Sequence, residues 1–252
     1  MKTLRFVLRA IWFIGELVGF FLDFIWRQAR SGFDLTQRER SLWLQRCSRR
    51  TLAVFSVVTE HQGMPPARGL FVSNHLSYLD ILVLVALMPA VFVSKSEVKH
   101  WPVFGWFAQL AGTLFVDRTR RSDVGRMNTE IVTKLEGGNV LVLFPEGTSW
   151  NGSEVLPFKS SLLEPVIGSK QPLTVGRIGY SLPDGNVSDD VCYWGDATFF
   201  PHLVKLMTKT QITARVRFES VPDVAADRKE LARQLHAKVS AISLSEPSFR
   251  GK

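Results

Sequence analysis

The sequence contains little cysteine and lacks the short motifs of several common enzyme classes. Its 252 residues include two cysteines, Cys47 and Cys192, which lie far apart and do not have metal-ligand spacing. It contains no Gly-x-Ser-x-Gly elbow, no Walker loop, no dinucleotide fingerprint and no His-Glu-x-x-His motif. We therefore expect a reduced protein that faces the cytoplasm and needs no metal and no redox cofactor.

The first thirty residues are apolar, but they lack an uninterrupted run that could span a membrane. Glu16 and Asp23 break the run, and no small-residue cleavage site of a signal peptide follows it. Five charged residues in this segment, separated by 4, 7, 7 and 4 positions, fall on one narrow stripe of a helix: Arg5, Arg9, Glu16, Asp23 and Arg27. Such a helix lies in a bilayer interface or packs its stripe on a partner helix. The alternative is a helix buried on the protein's own core.

Positive charge is concentrated near the N-terminus. The net charge is +8, and residues 1–50 hold ten of the basic residues but only four acidic ones. A basic segment rich in aromatic residues suits an anionic membrane surface. Nucleic acid is the competing partner, but the chain has no zinc finger and no aromatic RNA-binding signature. The sequence therefore predicts a peripheral or monotopic protein on the cytoplasmic face of a membrane, and no nucleic-acid partner.

A second helix is predicted to begin at Thr36, because Thr36 and Glu39 have the spacing of a capping box. It continues through the apolar stretch that ends at Val58, and the sequence "GMPPAR" then breaks the chain. We interpret residues 1–60 as a two-helix membrane-docking unit and residues 66–252 as the chemical domain.

Short β-rich runs alternate with helical stretches from residue 69 onward. The predicted strands are "GLFVS", "AVFVS", "GTLFVD", "NVLVLF", "PLTVGRIGY" and "ITARVRF". The helical stretches between and after them include "DILVLVAL", "DVGRMNTEIVTKLEGG" and "ADRKELARQLHAKVSAI". This alternation predicts an α/β fold with a largely parallel central sheet flanked by helices. The loops at the carboxyl ends of the strands are then the places to look for a site.

The stretch "SNHLSYLD" follows the first of these strands and contains His75 and Asp80. Ser77 can cap a helix that starts at Tyr78, with Asp80 at the capping-box position. Across such a junction the Asp80 carboxylate can reach the His75 imidazole and make its other ring nitrogen a general base for a substrate hydroxyl. The alternative is a turn histidine and a capping aspartate.

A second acidic residue follows another buried strand, in "FPEGTSW". Glu146 stands between proline and glycine, which is a poor position for packing. It is a suitable position for holding a hydroxyl or a backbone group at a site. The alternative is an acidic residue in a surface turn.

The segments "NHLSYLD", "GTLFVDR" and "FPEGT", in this order, resemble the three leading motifs of the glycerolipid acyltransferase family, over roughly residues 66–180. The resemblance implies an acyl-CoA or acyl-carrier-protein donor as co-substrate and a lysolipid acceptor, with 1-acyl-sn-glycerol-3-phosphate expected to give phosphatidic acid. It also implies that His75 is the base and Asp80 its partner.

The same resemblance implies roles for five further residues. Glu146, with Gly147 and Thr148, would help to hold the acceptor, and Arg118 would bind its phosphate. Lys95 matches a further basic position near that site, although an ordinary surface lysine is the alternative interpretation.

The chain departs from the family pattern at two places. Ser161 stands where the family usually has a glycine, and "PLTVGRIGY" replaces a Val-Pro-Val-like segment. These changes fall around the acceptor and acyl pockets, so another lysolipid, such as lyso-ornithine lipid, remains an alternative acceptor. A lipid hydrolase and a catalytically silent lipid-binding protein are the alternative functions.

Overall fold

A computed structural model describes residues 2–117, 121–167, 170–245 and 250–251. The helices are α1 Lys2–Arg30, α2 Gln37–Val54, α3 Leu79–Leu87, α4 Phe104–Leu110, α5 Arg121–Glu136, α6 Val187–Asp190, α7 Phe199–Thr208 and α8 Arg228–Ala241. The strands are β1 Val57–Gln62, β2 Gly69–Ser73, β3 Val91–Lys95, β4 Leu114–Val116, β5 Val140–Leu143, β6 Leu173–Ser181, β7 Ile212–Ser220 and β8 Arg250–Gly251.

The strands form one sheet in the order β4-β3-β5-β2-β6-β7-β1-β8. Strands β2 to β6 are all parallel, whereas β7 runs antiparallel to β6. Every residue of β2 and β5 is buried, as expected for parallel strands covered on both faces. The predicted fold class is confirmed, and the carboxyl ends of β2, β5 and β6 meet at one edge of the sheet.

Alternate residues of β2 pack in two separate cores. Phe71 packs in the core that includes residues of α1, α2, α3 and α7. Its neighbours Leu70 and Val72 pack in the core that includes residues of α5 and α8. The two-residue period of β2 therefore assigns these two sets of helices to opposite faces of the sheet.

The predicted capping box at Thr36 is confirmed, because the Thr36 side chain accepts from the Glu39 N–H and the Glu39 carboxylate accepts from the Thr36 N–H. The helix ends at Val54, however, earlier than predicted. Ser56 follows with a φ of 53°, in the left-handed region, and breaks the helical path. Residues 57–62 then form β1, which pairs in parallel with β7. The division into residues 1–60 and 66–252 stays a prediction.

Helix α1 packs its charged stripe against the rest of the protein. Arg5 donates to the Thr208 carbonyl at 2.6 Å, and Arg9 donates to the Lys209 carbonyl at 2.6 Å. Glu16 is buried and pairs with Arg50 at 2.7 Å. The stripe thus binds backbone carbonyl groups at the end of α7 and the Arg50 side chain of α2. The charged side of α1 therefore faces the rest of the protein.

The opposite side of α1 is apolar and exposed. Ile11, Ile14 and Leu22 expose 65%, 61% and 60% of their surface, and other exposed apolar residues on this side are Leu4, Leu8, Val18 and Ile25. At helical periodicity all seven fall on one face, which we call the outer apolar face of α1. No helix in the described part of the chain is long and apolar enough to cross a membrane.

Candidate active site

The loop between β2 and α3 brings His75 onto Asp80. His75 Nδ1 lies 2.8 Å from Asp80 Oδ2, and the same oxygen accepts from the N–H groups of Leu76 at 2.7 Å and Ser77 at 3.0 Å. An oxygen that already accepts two N–H groups acts as an acceptor towards the ring as well, so Nδ1 carries the proton. The other ring nitrogen, Nε2, is left with a lone pair that can take a proton from a substrate.

Two contacts hold the loop and the imidazole in place. The His75 ring stacks on Phe144, just after β5, with ring centroids 4.1 Å apart and planes 11° apart. The Asn74 amide donates to the Ile178 carbonyl at 3.0 Å and accepts from the Ile178 N–H at 2.8 Å. The loop is therefore fixed to both strands that flank β2. The His75 side chain remains 19% exposed, whereas that of Asp80 is fully buried.

The predicted cap at Ser77 is wrong. Helix α3 begins at Leu79, its cap residue Tyr78 makes no side-chain capping bond, and the buried Ser77 hydroxyl has no hydrogen-bond partner within the described residues. Asp80 does accept from the Ser77 N–H, which is one half of a capping box. The Asp80 carboxylate thus accepts hydrogen bonds both from the backbone of the loop and from the His75 ring.

Glu146 supports the same loop from β5. Its carboxylate is buried, and Oε1 accepts from the His75 backbone N–H at 2.9 Å. Burial raises the pKa of the Glu146 carboxyl to about 8, and the charge of Asp80 adds to the rise, whereas the N–H groups of His75 and Leu156 oppose it. Glu146 therefore holds a backbone group at the site, and its role towards an acceptor stays a prediction.

The other predicted site residues lie near the same edge of the sheet or outside the described residues. Gly147 has a φ of 75°, which favours glycine, and closes a turn to the Phe144 carbonyl at 3.1 Å. Thr148 is exposed in the following segment, and Lys95 is exposed at the end of β3. Arg118 lies outside the described residues.

Sequence reasoning missed a contact from β6. The Tyr180 hydroxyl donates to Asp80 Oδ1 at 2.5 Å, across a separation of 100 residues. The sequence indicated a strand and a departure from a family pattern in "PLTVGRIGY", but neither interpretation linked Tyr180 to Asp80. The signal that could have found the contact is the tyrosine at the carboxyl end of a strand next to β2.

A buried histidine of α7 supports the loop from its other side. The Tyr78 hydroxyl and His202 Nδ1 are 2.9 Å apart, and His202 Nε2 donates to the Cys192 carbonyl at 3.1 Å. Because Nε2 carries the proton, Nδ1 accepts from Tyr78. Burial lowers the pKa of His202 to about 4, so this ring is neutral at physiological pH.

The sequence of this chain is similar to those of known acyltransferases. The family model described as Acyltransferase matches residues 56–175. The lyso-ornithine lipid O-acyltransferase of Brucella abortus is 37% identical over 72% of this chain and 72% of its own length. The enzyme of the same name from Pseudomonas aeruginosa is 33% identical over 95% and 93%. The 1-acyl-sn-glycerol-3-phosphate acyltransferase of Neisseria meningitidis is 31% identical over 70% of each chain.

A solved structure shares the fold. The crystal structure of the 1-acyl-sn-glycerophosphate (LPA) acyltransferase PlsC from Thermotoga maritima superposes with a TM-score of 0.63 and 17% identity, over 95% of this chain and 96% of that one. Fold and motifs together define an α/β acyltransferase. The chain belongs to the acyltransferase family, and the predicted family and enzyme class are confirmed.

We predict that Glu146→Gln removes a pH-dependent loss of stability. The Glu146 pKa of about 8 lies above that of a glutamate in an unfolded chain, about 4.3. The contribution of the protonated Glu146 carboxyl to the stability of the folded protein is therefore fully present below about pH 4. It is lost as the pH rises towards 8. Between pH 5 and pH 8.5, roughly the span of this loss, the Tm of the wild type should fall relative to that of Glu146→Gln.

Thermal unfolding followed by circular dichroism at each pH measures this difference. Glu154→Gln is the matched control, since it makes the same substitution at an exposed residue eight positions further along. Parallel Tm curves for the wild type and Glu146→Gln would contradict the assigned burial of Glu146.

Proposed function

We propose that the protein transfers an acyl group to the free hydroxyl of a lysolipid. His75 Nε2 takes the hydroxyl proton, and the hydroxyl oxygen attacks the carbonyl carbon of a thioester donor. The carbon–sulfur bond then breaks, and the proton passes to the departing thiolate. The observation that carries this proposal is the 2.8 Å bond between His75 Nδ1 and the buried Asp80 carboxylate, which leaves Nε2 as the base.

The donor we propose is acyl-CoA or acyl-carrier protein, a co-substrate rather than a bound cofactor. This rests on the resemblance of the motifs around His75 and Glu146 to those of glycerolipid acyltransferases, which implies such a donor. Direct transfer of this kind needs no acyl-enzyme, because the acceptor hydroxyl itself is the nucleophile. Backbone donors would stabilise the oxyanion that forms during the attack.

Two acceptors fit this chemistry. We propose 1-acyl-sn-glycerol-3-phosphate on the strength of the sequence motifs and of the predicted phosphate contact of Arg118. Lyso-ornithine lipid, which has a free hydroxyl but no phosphate, is the second candidate. It is favoured by the relative from Pseudomonas aeruginosa, whose similarity extends over 95% of this chain.

We also propose that the protein works at the surface of an anionic membrane. The outer apolar face of α1 would enter the headgroup region, while the charged stripe keeps the helix attached to the protein. A lysolipid acceptor resides in such a surface. The cytoplasmic face stays a prediction from the cysteine usage, and both cysteines are free and buried in the fold.

The first prediction for this proposal concerns the base. We expect His75→Ala to lower kcat about 10²–10⁴-fold, since this is the usual contribution of a general base, and Asp80→Asn to approach that loss. Transfer of a labelled acyl group from acyl-CoA to a lysolipid in vesicles measures both. Free fatty acid as the main wild-type product would indicate a hydrolase instead.

His236→Gln serves as the control histidine variant, because it lies on α8 and glutamine can still donate to the Val155 carbonyl. It should transfer at the wild-type rate. A His75→Ala variant that kept more than about a tenth of the activity would rule out His75 as the base.

The second prediction concerns the acceptor. Arg118→Ala should raise KM for 1-acyl-sn-glycerol-3-phosphate about 10–100-fold, because a charge-assisted bond to the phosphate is lost. Arg118→Lys should rescue only in part, since an ammonium lacks the two-pronged geometry of guanidinium. KM for lyso-ornithine lipid should change little.

Steady-state kinetics on both acceptors decide between them. Equal effects of Arg118→Ala on the two acceptors would exclude a phosphate contact. A higher wild-type kcat/KM for lyso-ornithine lipid would select the second candidate and leave the proposed acyl transfer standing.

The third prediction concerns the membrane. The triple substitution Ile11→Glu, Ile14→Glu and Leu22→Glu should weaken binding to anionic vesicles at least about tenfold, because burial of even one such side chain is worth roughly 1.5–3 kcal/mol. Vesicle co-sedimentation measures the partition. Met64→Glu is the matched control, since it adds a charge at an exposed apolar residue outside α1. Unchanged partition of the triple variant would refute docking through α1.

A further inference from the structure

The Asp80 carboxylate receives hydrogen bonds on both of its oxygens, from different parts of the fold. Oδ2 accepts from His75 Nδ1 and from two N–H groups of the loop before α3. Oδ1 accepts from the Tyr180 hydroxyl of β6 at 2.5 Å. The bond from Tyr180 therefore reaches the oxygen that His75 does not contact.

A phenol suits this position because the carboxylate is fully buried. A buried charge is costly unless each oxygen finds a donor. Burial raises the pKa of the Tyr180 hydroxyl well above its ordinary value, and the charge of Asp80 raises it further. Tyr180 therefore keeps its proton and remains a donor to Asp80 throughout the physiological pH range.

We propose that Tyr180 is a positioning residue for acyl transfer, acting on His75 through Asp80. Its hydroxyl fixes the carboxylate in the orientation that meets His75 Nδ1, and it takes up part of the negative charge that would otherwise act on the imidazole. Its hydroxyl is bonded to Asp80 Oδ1, so Tyr180 acts on the base through the carboxylate. This inference rests on the proposed role of His75 as the base.

Three other titratable groups interact with Asp80 and bear on any pH profile. His75 lies on the loop before α3, Glu146 follows β5, and Cys192 precedes α7. Burial and the charge of Asp80 raise the pKa of the Cys192 thiol to about 12, so it stays neutral. The pKa of Glu146 is about 8, so its own titration falls at the alkaline end of the profile.

The test is Tyr180→Phe in the full chain, which keeps the ring and removes the donor. We expect kcat to fall about 10–100-fold, the factor that corresponds to a hydrogen bond to a charged group, with KM for the lysolipid unchanged. The acidic limb of kcat/KM should move to higher pH, because the unshared charge of Asp80 holds the imidazolium more strongly. Tyr193→Phe is the control, because Tyr193 contacts Tyr78 through its ring. It should match the wild type.

A readout that does not depend on turnover separates this inference from the proposed function. NMR titration of the His75 ring should give a higher midpoint in Tyr180→Phe than in the wild type. An unmoved midpoint, or a fall in kcat without a shift of the acidic limb, would overturn the positioning role. A shifted midpoint in a protein whose wild type transfers no acyl group would support the Tyr180 contact and defeat the proposed function.

Discussion

The architecture of the site depends on one buried charge, the carboxylate of Asp80. A fully buried carboxylate is tolerated only when donors surround it, and here the donors come from the loop after β2 and from Tyr180 of β6. The loop can donate its N–H groups to this carboxylate only by folding back on the first turn of α3. The same bonds aim His75 Nδ1 at the carboxylate and leave Nε2 directed elsewhere. The orientation of the His75 ring thus follows from the hydrogen bonds that the protein donates to Asp80.

The N-terminal helix reverses the usual orientation of an amphipathic helix. A helix on a soluble protein normally turns its polar side outward, whereas α1 turns its charged stripe inward and leaves an apolar face exposed. Arg5 and Arg9 bind carbonyl groups at the end of α7. Helix α7 in turn supports the site loop through the bond between His202 and Tyr78. One continuous set of contacts therefore joins the proposed membrane-docking helix to the loop that carries His75.

Patterns of local origin were predictable from the sequence, and contacts between distant segments were not. The strands of the parallel sheet and the cap at Thr36 follow from periodicity and local spacing, and so does the approach of His75 to Asp80. Strand β1 was missed because Val57 and Val58 continue an apolar run that also fits a helix. The contact of Tyr180 depends on the order of strands in the sheet, which a single sequence does not specify.

The central claim is that His75 Nε2 is the group that receives the proton of the acceptor hydroxyl. A crystal structure of the protein with a bound lysolipid acceptor tests it most directly. The account predicts that the acceptor hydroxyl oxygen lies about 2.6–3.2 Å from Nε2, while Nδ1 remains bonded to Asp80. An ordered acceptor whose hydroxyl points away from His75, or a ring whose Nε2 faces Asp80, would contradict it.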